Sequence, residues 1–271
     1  MKSSNQTINQ STSQLSVNQP AAELSEGLSG YSEKESALIE RWHQVCDELT
    51  QACQCAKSDN QPSTFSTKKV ILLAVSKTKL ATMIETLARA GQQHFGENYL
   101  QEAIEKIDTL KQSSVAAQLI WHYIGHIQRN KTRDIAERFD WVQTIERDII
   151  ARRLSEQRPE CMAPLNVLIQ VNIDREDSKS GCLPEQLPEL IHQVKVYPNI
   201  TLRGLMIIPA RDDTDAFART KALFDDIGAE HPDLVAWDTL SMGMSGDMSA
   251  AIAAGSTMVR VGTAIFGARD G

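Results

Sequence analysis

The sequence predicts an α/β protein built as a single (β/α)8 TIM barrel, and three observations carry that prediction. Eight apolar, strand-like runs alternate with helical patterns from residue 69 onward. The runs are apolar at nearly every position, and no Gly-x-Gly-x-x-Gly fingerprint follows the first of them. Alternation implies parallel strands joined by crossover helices, and continuous apolar runs imply strands covered on both faces. Eight such units in about 210 residues suit a closed barrel. An open doubly wound sheet is the alternative, weakened by the missing fingerprint.

The elements follow in order. Residues 1–33 are rich in Ser, Asn, Gln and Gly and poor in aromatic and branched side chains. Such a segment buries too little apolar surface to order itself, so it is expected as a disordered tail, with at most a transient helix around "PAAELSEGL". Residues 34–271 are expected to form the barrel. "SEKESALIERWHQVCDELTQAC" repeats apolar residues at helical spacing and opens on a capping-type region, Ser32-x-x-Glu35 or Ser36-x-x-Ile39. The strand-like runs are "KVILLAVS" (69–76), "HFGEN" (94–98), "IWHYIG" (120–125), "DWVQTI" (140–145), "LNVLIQVNI" (165–173), "LRGLMII" (202–208), "WDTLSMGM" (237–244) and "MVRVGTAIFG" (258–267). Helical patterns such as "ATMIETLARAG", "LQEAIEKIDTL" and "GDMSAAIAAG" separate them.

Composition narrows the function. The chain has 271 residues and a formal net charge of −7, which argues against nucleic acid or an anionic membrane as main partner. No apolar run approaches the roughly 20 residues of a membrane span, and the N-terminus lacks the apolar core of a secretory signal. Cys46, Cys53, Cys55, Cys161 and Cys182 are scattered without zinc-type spacing, so reduced thiols in a cytoplasm are expected. The pair Cys53 and Cys55 suits a soft metal poorly, because residues two apart do not share a helix face.

In a barrel the carboxyl ends of the strands form the functional face. Those ends carry Lys77, Glu97 and Asn98, His122, Gln143, Asn172, Met206, Ser241 and Ser245, and Arg260 with Gly262 and Thr263. Glu97 and His122 could form an acid–base pair, although each serves equally well as a partner for backbone groups. Lys77 admits two readings. It is an exposed residue closing a strand, or an amine whose pKa is lowered by apolar walls and nearby cations until it attacks an aldehyde. The C-terminal segment favours the second. Ser245 stands before an Ala-rich helix as an N-cap, where free N–H groups and the helix dipole favour phosphate. Gly262-Thr263 can bring backbone N–H groups to the same anion, although Gly-Thr after a strand is also ordinary turn chemistry. An aldehyde-capturing lysine with a phosphate cup is what pyridoxal 5′-phosphate (PLP) requires.

At these residues the chain resembles the pyridoxal phosphate homeostasis proteins. "AVSKTK", "HFGENYLQE", "WHYIGHIQRNK", "QVNIDREDSKSG", "LRGLMIIP", "LSMGMSGDM" and "GSTMVRVGTAIFGARD" match that family in order over residues 65–270. The resemblance implies an alanine-racemase-like barrel that holds PLP as a lysine aldimine and serves vitamin B6 homeostasis without established turnover. Carried over by motif, Lys77 holds the cofactor; Ser245, Gly262 and Thr263 hold the phosphate. Arg260 faces the pyridine nitrogen, and Asn98 and Met242 line the ring. Ser241 could share the phosphate; Ser245 is preferred because it also caps the helix. His126 departs from the family pattern, where proline or alanine is usual, and the N-terminal tail is longer than the pattern needs.

The resemblance also bears on mechanism. A guanidinium beside the pyridine nitrogen keeps it unprotonated, which weakens the ring as an electron sink. Barrel racemases take a second base from an additional β domain and a partner subunit. This sequence stops at Gly271, so a monomeric carrier is expected, in the cytoplasm, with PLP-dependent apoenzymes as recipients. A weak racemase using Lys77 with Glu97 or His122, and a cofactor-free aldolase-like barrel, are the competing expectations.

Overall fold

The computed structural model describes residues 30–58, 70–210 and 213–268. The expected tail therefore lies outside the described residues up to position 29, as does the segment "PAAELSEGL". The first helix, α1 (Glu33–Ser58), begins at the first of the two capping patterns, Ser32-x-x-Glu35. The Ser32 hydroxyl and backbone N–H both donate to a Glu35 carboxylate oxygen, at 2.7 and 2.8 Å, closing the first turn.

Eight parallel strands then close on themselves in chain order: β1 (Ile71–Val75), β2 (His94–Glu97), β3 (Ile120–Tyr123), β4 (Trp141–Ile145), β5 (Leu165–Gln170), β6 (Ile200–Met206), β7 (Thr239–Ser241) and β8 (Met258–Val261). β1 pairs with both β2 and β8, so no edge is left open. The crossover helices are α2 (Ala81–Arg89), α3 (Leu100–Leu110), α4 (Thr132–Ala136), α5 (Asp148–Gln157), α6 (Leu187–Val194), α7 (Ala216–Glu230) and α8 (Met248–Ala253), with a last turn α9 (Thr263–Phe266). The (β/α)8 expectation holds.

Two differences concern the site. The eighth run ends as a strand at Val261, and residues expected as strand up to 267 form α9 instead. The seventh strand has three residues.

Strand alternation sorts the apolar side chains into two layers. Leu73, Trp141, Leu168, Met206 and Met258 pack together inside the barrel. The larger core lies between sheet and helices, where Phe95, Val142, Leu205 and Val259 meet the helix faces. Helix α1 completes the outer wall. Its buried stripe of Leu38, Ile39, Trp42, Val45, Leu49 and Ala52 repeats every three to four residues, and it packs on α2, α8 and α9. Trp42 Nε1 donates to Gln92 Oε1 at 2.9 Å, and Arg41 Nε donates to Ile265 O in α9 at 2.9 Å.

Candidate functional site

One pleat above the apolar layer, towards the carboxyl ends, the barrel interior turns polar. His122, Gln143 and Arg260 follow Ile120, Trp141 and Met258 by two residues and so share their inward face. They form a continuous relay with Ser241 and His94. His94 Nδ1 lies 2.9 Å from His122 Nε2, and His122 Nδ1 lies 3.0 Å from Gln143 Nε2. Ser241 Oγ donates to Gln143 Oε1 at 2.7 Å and accepts from Arg260 Nη1 at 2.9 Å. Arg260 also donates to Ser241 O at 2.9 Å and to Ile207 O at 2.8 Å. Burial lowers the Arg260 guanidinium to about 10, against a weaker opposite pull from Asp247. It therefore stays charged at neutral pH. Burial pushes His94 down to about 4 and His122 well below its ordinary value, so both imidazoles are neutral.

Lys77 lies just beyond β1, in a turn held from every side. Ser76 N donates to Gly96 O at 3.0 Å, and Lys79 N to Ser76 O at 3.1 Å. Lys106 Nζ donates to Ser76 O at 2.7 Å, Ser76 Oγ to Glu97 Oε1 at 2.6 Å, and Thr78 N to Glu102 Oε1 at 2.5 Å. Thr78 takes a positive φ of 63° to complete the turn. The Lys77 side chain is half-buried and hydrogen-bonded to none of the described residues. Its neighbour Lys79 instead donates to Ala268 O at 2.6 Å. Lys77 and Lys79 do not share a strand face, because β1 has already ended at Val75.

The start of α9 lies beside that turn. Gly262 precedes Thr263 as the N-cap of α9, and a Cβ on Gly262 would sit 3.3 Å from Val75 O. The first-turn N–H groups of a helix have no acceptor within it, so those at Thr263 and Ala264 point out of α9. Asn98 follows β2, and its Oδ1 is buried without a hydrogen-bond partner. The backbone there is so close to Gly125 that a Cβ on Gly125 would fall 2.1 Å from Asn98 O, which leaves room for glycine alone.

Two expected site residues stand differently. Asp247, not Ser245, is the N-cap residue of α8, and its Oδ1 accepts from Met244 N at 2.5 Å. Ser245 is exposed in the turn leading there, its hydroxyl bonded to no described residue. Ser241, the other candidate, spends its hydroxyl in the relay. Met242 is fully buried in the core between sheet and helices. Its neighbour Ser241 faces the interior, so alternation turns Met242 away from the ring it was expected to line.

The alanine racemase N-terminal domain family matches residues 61–270. The pyridoxal phosphate homeostasis protein of Pasteurella multocida is 52% identical over 206 residues, covering 74% of this chain and 87% of that protein. This chain belongs to the pyridoxal phosphate homeostasis protein family. The family member of Pseudomonas aeruginosa is 49% identical over 241 residues, 87% of this chain and 97% of its own. Among solved structures, PipY of Synechococcus elongatus, with PLP bound, is similar with a TM-score of 0.66 at 32% identity. That match covers 81% of this chain and all of PipY.

In this member of the family the acid–base pair that the sequence left open is not formed. Glu97 shares the outward face of β2 with Phe95, whereas His122 faces inward. Glu97 is bound to Lys106 and Ser76, while His122 sits between His94 and Gln143. Burial raises the Glu97 pKa, opposed by Lys106. Asn172 shapes the loop after β5 by donating to Glu176 O at 2.7 Å. His126 is exposed and outside the relay; its carbonyl accepts from the Tyr123 hydroxyl at 3.1 Å. Sequence reasoning missed Ser76, Glu102 and Lys106, which clamp the Lys77 turn. The available signal was Glu102-x-x-x-Lys106 at one-turn spacing on a helix that starts right after β2.

Proposed function

We propose that this chain binds PLP at the mouth of its barrel and serves vitamin B6 homeostasis as a carrier, without catalytic turnover. The observation that carries the reading is the Lys77 amine: half-buried, in a clamped turn, and claimed by no described residue. When bound, PLP supplies an aldehyde that an amine can capture and a ring that draws electrons from the captured carbon. Lys77 holds the aldehyde. The Thr263 and Ala264 N–H groups hold the phosphate, with the Thr263 and Ser245 hydroxyls, and Gly262 leaves them open for want of a side chain. Asn98 Oδ1, buried and unpartnered, is an acceptor waiting for a donor at the ring. Arg260 faces the ring nitrogen.

The same residues support a carrier over an enzyme. Arg260 disfavours a proton on the ring nitrogen, because two positive charges would repel. The two resident candidates for a second base are engaged elsewhere, Glu97 on the outer face and His122 within the relay. The reading extends to a monomer in the cytoplasm that hands its cofactor to PLP-dependent apoenzymes.

The test is to load the protein with PLP, add L-alanine and other L-amino acids in deuterated water, and follow the α-proton. The expected result is no exchange near ordinary turnover rates. The loaded protein then restores activity to an added apoenzyme, and it runs as a monomer by light scattering. Steady α-deuteration or loss of chirality at enzymatic rates would sink the carrier reading.

A further inference from the structure

The relay ending on Arg260 has one consistent arrangement of protons. A guanidinium only donates, so Ser241 Oγ, 2.9 Å from Nη1, accepts from it. The single Ser241 hydroxyl proton then goes to Gln143 Oε1 at 2.7 Å. This fixes the Gln143 amide, whose Nε2 faces two acceptors: His122 Nδ1 at 3.0 Å and Met258 Sδ at 3.1 Å. The flipped amide would aim its NH2 at a hydroxyl already receiving from Arg260 and strand that hydroxyl's proton. His122 therefore carries its proton on Nε2 and donates it to His94 Nδ1 at 2.9 Å, which leaves the His94 proton on Nε2. Four residues from β8, β7, β4 and β3 thus donate in one direction, away from the arginine, and the relay ends on His94 of β2 as acceptor.

We propose that Ser241, Gln143, His122 and His94 are positioning residues that fix Arg260 with neutral dipoles alone, so that its charge reaches the ring nitrogen uncancelled. The proposal rests on the PLP-binding reading above. A buried guanidinium is ordinarily met by a carboxylate. Among the described residues its hydrogen-bond acceptors are two backbone carbonyls and one hydroxyl. Among the described residues one carboxylate acts on it, Asp247, and it does so without a hydrogen bond to the guanidinium, its Oδ1 holding Met244 N instead. Each relay dipole turns its negative end towards the guanidinium, which stabilises the charge without an opposite charge beside it. An ion-paired arginine would present little field to the ring, and the ring nitrogen could then keep a proton.

Nitrogen-15 NMR of the histidines in the cofactor-free protein tests the relay by itself. Both His94 and His122 should be neutral and protonated on Nε2 at neutral pH; a proton on Nδ1 of either, or an imidazolium, overturns the proposal. In protein loaded with PLP labelled at the ring nitrogen, that nitrogen should be unprotonated, and a protonated nitrogen also overturns it. Ser241→Asp places a carboxylate against Arg260. It should flip the Gln143 amide, move both histidine protons to Nδ1 and shift the ring nitrogen to its protonated signal. Ser241→Thr keeps the hydroxyl and should leave every signal in place. A folded, loaded Ser241→Asp protein with unchanged signals refutes the role. Should Ser241→Asp not fold, the wild-type tautomers still decide. Should no protein load PLP, the PLP-binding reading fails while the histidine signals judge the relay separately.

Discussion

Lys77 and Lys106 stand on either side of one turn and could hardly be used more differently. Lys106 is 93% withdrawn from solvent, with 7% of its side chain exposed, and is claimed by Glu97 Oε1 at 2.8 Å, Glu102 Oε1 at 2.5 Å and Ser76 O at 2.7 Å. Lys77, one residue past the carbonyl that Lys106 holds, has a partly accessible amine bonded to no described residue. The comparison teaches that burial of an amine does not identify it as reactive. A structural lysine is recognised by carboxylates that satisfy it, a reactive one by a fixed backbone and an unclaimed head group. In this barrel the structural lysine holds the turn that carries Lys77, the proposed reactive one.

The largest expected effect breaks the comparison at Lys77. Lys77→Ala should abolish the yellow absorbance that PLP gives with the wild type, while thermal unfolding stays close to wild type, because no hydrogen bond is lost. Retained absorbance would assign the amine elsewhere. Next, Lys106→Met leaves Glu97 buried with its charge unmatched, which should cost about 3–5 kcal/mol in chemical denaturation. Adding Glu97→Gln should recover part of the loss. A cost below about 1 kcal/mol would mean that the cluster is no clamp.

Acid should act on the relay instead of the clamp. His94 is depressed from 6.5 to about 4 by burial, so the folded state resists protonation more than the unfolded one. Its contribution is complete above about pH 6.5 and is lost as pH falls towards 4, at about 1.4 kcal/mol per pH unit and about 3 kcal/mol in all. Denaturation midpoints measured across that window should fall with pH, and His94→Gln should flatten the slope. The smallest effect is expected at Lys79, whose one side-chain bond among the described residues is to Ala268 O. Lys79→Ala should move stability by within about 0.5 kcal/mol and leave PLP uptake intact. Loss of uptake there would blur the distinction between the two neighbouring lysines.

The barrel was legible because its strands alternate with helices and are apolar on both faces. The errors fall where periodicity is silent. "VRVGTAIFG" is apolar throughout, and such a run cannot say that the strand stops at Val261 and a helical turn follows. "SGD" offers two capping residues two positions apart, and the one that precedes α8 is Asp247. Met242 was misread, and the pairing of Glu97 with His122 was left open, for one shared reason. On strands of four and three residues the parity of inward and outward faces is not fixed by pattern, and a one-residue slip reverses it. Lys77, Arg260, Gly262 and Thr263 could be nominated from strand ends and motifs. The relay and the clamp were not, because both are built from contacts between distant strands and helices.

The central claim is that the reactive amine of this barrel is Lys77. Loading the protein with PLP, reducing with borohydride and mapping the modified peptide by mass spectrometry tests it most directly. A single stable adduct on Lys77 is the predicted result. An adduct on Lys79 or Lys106, or none at all, would contradict it.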